Sequence, residues 1–109
     1  MEYTFEKWQA EGNRRFGDDI ANWRFICPAC GRVNRGQEFK EAGASPDDMY
    51  KTCIGRHNGK GVDGMNKHKT PPEHGCNWAA FGLFGTLGKG DTVIKDGNNI
   101  DVFAFAELL

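Results

Sequence analysis

Long apolar runs are missing from this 109-residue chain. No stretch approaches the ~20 apolar residues that a membrane-spanning helix needs, so no membrane role is expected. Residues 1–8 are charged and carry no apolar run, so they predict no secretion signal. The expected compartment is therefore the reducing cytoplasm. Catalytic signatures are missing as well. There is no His-Glu-x-x-His or His-x-Glu pattern and no glycine-rich phosphate loop of the nucleotide-binding types. Internal repeats and low-complexity tracts are absent. No charge sign dominates: 14 Lys and Arg stand against 15 Asp and Glu, a net charge of −1. That balance excludes a wholly basic nucleic-acid binder.

What is present is glycine, aromatics and cysteine. Fifteen Gly, eight Phe and three Trp describe a loop-rich protein whose core leans on aromatic rings. The length predicts one domain, 1–109. A core of that size is modest, and a bound metal would help to hold it.

The coarse pattern is α+β. Thr4 is set as an N-cap for a helix over about 5–16, stopped by Gly17, with Phe5, Trp8 and Phe16 as its buried stripe. Gly12 weakens that helix. Residues 23–26 read as a short strand running into Cys27. A short helix is expected over about 37–42. Ser45-Pro46-Asp47-Asp48 is a helix start, with a Ser cap, a Pro at the first position and two acids in the first turn. That helix is expected to reach Ile54 and stop at Gly55. Asp47 and Asp48 are better explained by this helix end than as a catalytic acid pair. Residues 55–75 read as a long loop. Strands over 92–95 and 100–106 are joined by Asp96-Gly97-Asn98-Asn99, a hairpin signal.

The four cysteines carry the chemistry. Cys27-Pro28-Ala29-Cys30-Gly31 is a knuckle: the turn folds two thiolates onto one centre, Pro28 fixes one φ, and Gly31 tolerates positive φ. Cys53 and Cys76 each return from further along the chain. Together Cys27, Cys30, Cys53 and Cys76 predict a structural Zn²⁺ site, because zinc prefers four tetrahedral ligands, often all thiolate. The site would carry two net negative charges, which Arg32, Arg35, Lys51 and Arg56 are placed in sequence to offset. Three other readings compete. Two disulfides fit poorly with the missing secretion signal. A thioredoxin-like redox site should open a helix, whereas Gly31, Val33 and Gly36 follow the second cysteine. In the third, His57, His68 or His74 replaces a cysteine as ligand. The expected fold is thus a small zinc-stabilised α+β domain with one knuckle, two short helices and a C-terminal β-hairpin.

Two surface features remain. Residues 51–69 carry Lys51, Arg56, Lys60, Lys67 and Lys69 with His57 and His68, against one acid, Asp63. Interleaved glycines would let backbone amides approach a phosphate there, although a solvated loop is the blander reading. Trp8, Trp23 and Trp78 could stack on bases, but core packing is the expectation, with Trp23 and Trp78 shielding the metal.

The ordered motifs Trp23-Arg24-Phe25-Ile26-Cys27-Pro28-Ala29-Cys30-Gly31, Cys53-Ile54-Gly55-Arg56, Gly75-Cys76-Asn77-Trp78 and Gly82-Leu83-Phe84 span most of the chain. With Glu11-Gly12, Arg15-Phe16-Gly17 and Phe103-Ala104-Phe105-Ala106, the pattern resembles a family of small uncharacterised proteins of tailed bacteriophages and prophages. An ordinary zinc ribbon has two knuckles; this chain has one. The resemblance implies a phage or prophage origin and an accessory role inside the host cell, and it brings no activity with it. The expectation is a non-enzymatic zinc-binding protein that binds and modulates a host protein, for example as an anti-defence inhibitor. The first alternative is a nucleic-acid-binding zinc module using residues 51–69. The weaker one is a Cys-Pro-x-Cys thiol redox protein.

Overall fold

The protein is described from a computed structural model that covers residues 1–65, 69–80 and 85–106. Eight regular elements carry the architecture. Strand β1 (Glu2–Thr4) leads directly into helix α1 (Phe5–Phe16). Strand β2 (Arg24–Ile26) and strand β3 (Val33–Arg35) form a hairpin, and helix α2 (Gly36–Glu41) follows. Strands β4 (Asp91–Lys95), β5 (Asn98–Val102) and β6 (Ala104–Phe105) close the chain. They form two three-stranded sheets, β1-β4-β5 and β3-β2-β6. The first is mixed, with β1 parallel to β4 and β5 antiparallel to it. The second is antiparallel, with Phe25 opposite both Asn34 and Phe105.

The α1 boundaries follow the sequence signals. The Lys7 amide donates to Thr4 Oγ1 at 3.3 Å, and the Gly17 amide closes the last turn on Asn13 O at 2.8 Å. Gly12, the apparent weak point of this helix, is buried. The Trp23 ring lies where a Cβ on Gly12 would project, with ring carbon Cζ2 2.6 Å from that position. A missing side chain therefore serves packing.

Trp8, Trp23, Phe25 and Phe105 interlock in the core. Phe105 stacks on Phe25 at 5.1 Å and on Trp8 at 5.8 Å, and meets Trp23 edge-on at 5.9 Å. Each such pair is worth ~0.5–1.5 kcal/mol beyond area burial. Trp8, Trp23 and Trp78 are all buried. Trp23 gives its ring to this cluster.

Two expected elements take a different form. The start at Ser45 is as expected: Ser45 Oγ accepts from the Asp47 amide, and Asp48 Oδ2 accepts from the Ser45 amide, both at 3.2 Å. The element, however, is a 3₁₀ turn, Pro46–Tyr50, and does not reach Ile54. Pairing with the returning chain stops it. The Ala80 amide donates to Lys51 O at 2.7 Å and the Cys53 amide to Trp78 O at 3.0 Å, which requires extended backbone. The strand expected over 100–106 is divided between the two sheets. Phe103 leaves the ladder, and its amide donates to Tyr50 O at 2.7 Å. The β4–β5 hairpin turns on Asp96 and Gly97 alone, both at positive φ, +53° and +79°. A two-residue turn of that kind matches the strand twist, so Asn98 and Asn99 are already in β5.

Candidate metal centre

The Cys27–Cys30 knuckle sits at the tip of the β2–β3 hairpin. The Cys27 amide donates to Arg32 O at 3.0 Å and the Gly31 amide to Cys27 O at 2.9 Å. Gly31, at φ +79°, lets the chain reverse straight into β3. Cys53 opens a single 3₁₀ turn, Ile54–Arg56. Cys76 is held by a parallel bridge to Val62. These two segments pass backbone on backbone. A Cβ on Gly55 would lie 2.6 Å from Cys76 N and 2.7 Å from Gly61 Cα, so only glycine permits the approach.

The four Sγ atoms all lie within 4.8 Å of one another. Cys27 and Cys76 are 3.6 Å apart, and Cys30 and Cys53 are 3.8 Å apart. Four sulfurs each ~2.3 Å from a central zinc would stand about 3.8 Å from one another, so the spacing suits a tetrahedral thiolate site. All four cysteines are free and buried, at 7% exposure or less. The donor set and spacing of the cluster suit a metal ion held by four protein sulfurs.

Hydrogen bonds orient the sulfurs. Cys53 Sγ accepts from the Cys76 amide at 3.3 Å and from Asn34 Nδ2 at 3.4 Å. The backbone amide of Arg32 favours the thiolate of Cys30. Such donors stabilise negative sulfur, the form that binds metal. Hydrogen bonding from Cys27 holds Cys30 down at about 7, and hydrogen bonding from Cys27, Cys30 and Cys76 lowers Cys53 as well. The same contacts, led by Cys30, push the Cys27 thiol up.

Asn34 continues outward into an ion-pair network. It is fully buried, and its Oδ1 accepts from Arg32 Nη1 at 2.5 Å. Arg32 also makes a two-pronged pair with Glu38 of α2, at 3.0 and 2.7 Å, and donates to Glu73 O at 2.9 Å. One guanidinium thus ties the knuckle to α2 and to the segment before Cys76. Of the cations expected near the site, Arg32 is in electrostatic reach of Cys53 and Cys30. Arg56 instead bonds Asn77 O at 3.0 Å, and Lys51 Nζ lies 5.9 Å from the Tyr50 ring. Asn34 lies in β3, a strand not among those expected from the sequence, and Glu38 lies in the expected short helix but meets Arg32 only through the tertiary fold. The readable signal is the alternation Val33-Asn34-Arg35, which turns Asn34 inward between two outward residues.

The basic-loop residues separate into two groups. Lys60 and Lys69 are exposed. His57 packs edge-on against Phe39 at 5.5 Å. Its Nε2 lies 2.8 Å from Thr52 Oγ1, which itself donates to Asp48 O, so His57 is the donor. Lys67, His68 and Gly82-Leu83-Phe84 lie outside the described residues. Neither His57 nor His74 joins the cysteine cluster, and His74 faces Glu73 at 3.8 Å.

Among the described residues, no other group of His, Cys, Asp or Glu is arranged for metal binding. No helix among them is long and apolar enough to cross a membrane. Fold and site define a small α+β domain organised around a cluster of four cysteines spaced to hold a metal ion. The family model described as VVA0879-like matches residues 4–106, and the chain belongs to that family. No curated protein and no solved structure matches it.

Proposed function

We propose that this chain is a zinc-stabilised accessory protein that acts by binding and modulating another protein, in a phage setting a factor of the host. The observation that carries this reading is the closed quartet of Cys27, Cys30, Cys53 and Cys76, enclosed in the core. Catalytic zinc keeps a position open for water or substrate; a site of four protein sulfurs suits a structural ion. Thiolates select zinc over magnesium or calcium, and zinc is the redox-silent choice. The bound ion would hold the β2–β3 tip, the Cys53 turn and the Cys76 bridge together. The motif resemblance to tailed-phage proteins supports the host setting and an accessory role, of which anti-defence inhibition is one example.

The nucleic-acid reading of residues 51–69 stands second. Lys60 and Lys69 face solvent, which favours it, while His57 and Arg56 are engaged within the domain. The thiol redox reading is third, since the knuckle leads into strand β3 and not into a helix N-terminus.

The test couples metal analysis to partner capture. Purified protein should carry one zinc per chain, and tagged protein should retain a discrete host protein from lysate. Cys27→Ser should lose both. Zinc retained at full stoichiometry in Cys27→Ser contradicts the site. A nucleic acid recovered in place of a protein, with binding that falls steeply as salt rises, replaces the first reading with the second.

A further inference from the structure

We propose that the outer face of sheet β3-β2-β6 is a docking site for an extended, acidic protein segment that alternates carboxylates with apolar side chains. This deepens the partner-binding reading above and rests on it. In this sheet Phe25, Asn34 and Phe105 point into the core. Strand alternation therefore places Arg24, Ile26, Val33, Arg35 and Ala104 on the opposite face.

Two observations point to an anionic partner. First, Arg24 and Arg35 stand directly opposite each other in the β2–β3 register. Like charges so placed repel, and an anion between them would remove the cost. Among the described residues neither guanidinium is ion-paired. The carboxylate that feels Arg35, Glu38, is already held by both prongs of Arg32. Second, Arg24 Nε is buried without a hydrogen-bond partner. A buried donor left unpaired is costly, and a carboxylate docked beside this guanidinium would offset that cost through its charge.

The rest of the face suits a peptide rather than a phosphate backbone. Val33 is 44% exposed, and beside it Ile26 and Ala104 border a groove of about 300 Å³. The knuckle residues Pro28 and Ala29 form an apolar wall of this groove, and exposed Lys89 stands at its side. An extended segment repeats its side chains every second residue, at ~6.6–6.8 Å, so carboxylates and apolar groups can meet the arginines and the groove in turn.

The experiment uses the full-length, zinc-loaded chain and fluorescence anisotropy. Three labelled probes are compared: an octapeptide alternating glutamate and leucine, the same peptide with lysine for glutamate, and an octamer of thymidylate. The wild type should bind the glutamate peptide saturably and ignore the lysine peptide. The double variant Arg35→Glu, Lys89→Glu should bind the glutamate peptide roughly tenfold or more weakly and gain affinity for the lysine peptide. Its zinc content should stay at the wild-type level, which separates loss of the surface from loss of the metal centre. The variant Lys60→Glu, Lys69→Glu should bind the glutamate peptide as the wild type does. No saturable peptide binding, or binding unmoved by Arg35→Glu, Lys89→Glu, overturns the proposal. So does thymidylate binding that this variant abolishes while the peptides stay unbound.

Discussion

The Sγ atoms of Cys27 and Cys76 lie 3.6 Å apart although 49 positions separate them in the chain. Within that span, the Cys30–Cys53 approach of 3.8 Å bridges 23 positions. Ordering that much loop costs conformational entropy, and this chain meets the cost with few regular elements on the way. A divalent ion at the centre of the quartet, as proposed above, would supply the missing stabilisation, because a thiolate site that exists only in the folded chain couples binding to folding.

Chelation is therefore expected to loosen the Cys53 and Cys76 segments first. The aromatic cluster around Phe105 is held by its own ring contacts and should persist longer. Tryptophan fluorescence and amide exchange with and without chelator read the two regions separately. Equal protection of the Cys53–Cys76 amides in both conditions would contradict this.

Gly12→Ala should invert the usual helix rule. In an open helix the change adds ~1 kcal/mol of stability. Here the new methyl would strike the Trp23 ring, so a loss of about 1–3 kcal/mol is expected from overpacking. Chemical denaturation of the variant decides the sign.

Asn34→Ala should weaken metal binding without removing a ligand. Asn34 donates to Cys53 Sγ and accepts from Arg32, so its loss leaves the sulfur and the guanidinium each one hydrogen bond short. A fall of ~10–100-fold in metal affinity is expected from the loss of such a supporting group. Competition against a chromogenic chelator measures it. Arg32→Lys should fall in the same direction, because a single ammonium cannot hold Glu38, Asn34 and Glu73 O together.

Stability should decline with alkali in a window set by Tyr50. Burial, with Asp47 adding to it, pushes its phenol up to about 12 from 10.0. The folded-state value is the higher one. Between pH 10 and about 12 the unfolded chain gives up a proton that the folded chain keeps. The contribution is complete below pH 10 and disappears as pH rises through that interval. Tyr3 is raised as well, chiefly by burial, and acts in the same direction. Tyr50→Phe should flatten the alkaline slope, as followed by unfolding midpoints across the window. An unchanged slope would remove Tyr50 as its source.

Local chemistry was legible in the sequence wherever a short motif sufficed. Thr4 and Gly17 bounded α1, Ser45-Pro46 marked a helical start, and Asp96-Gly97 marked the hairpin. The cysteine quartet was legible because thiolate chemistry needs few residues to declare itself. What stayed hidden depends on distant pairing. Cys53 is extended because Trp78 and Ala80 return beside it, and no local signal near Tyr50 announces that. Phe103 parts two strands because Tyr50 O takes its amide. Gly12 looked like a flaw until the Trp23 ring was seen lying on it. Asn34 became a sulfur partner only once Val33–Arg35 was known to be a strand.

X-ray absorption at the zinc edge, on protein purified without added metal, tests the centre most directly. Four sulfur scatterers at about 2.3 Å, with no nitrogen or oxygen neighbour, is the expected result. A shell containing a histidine nitrogen or water oxygen, or purified protein whose four cysteines are oxidised and hold no metal, would contradict it.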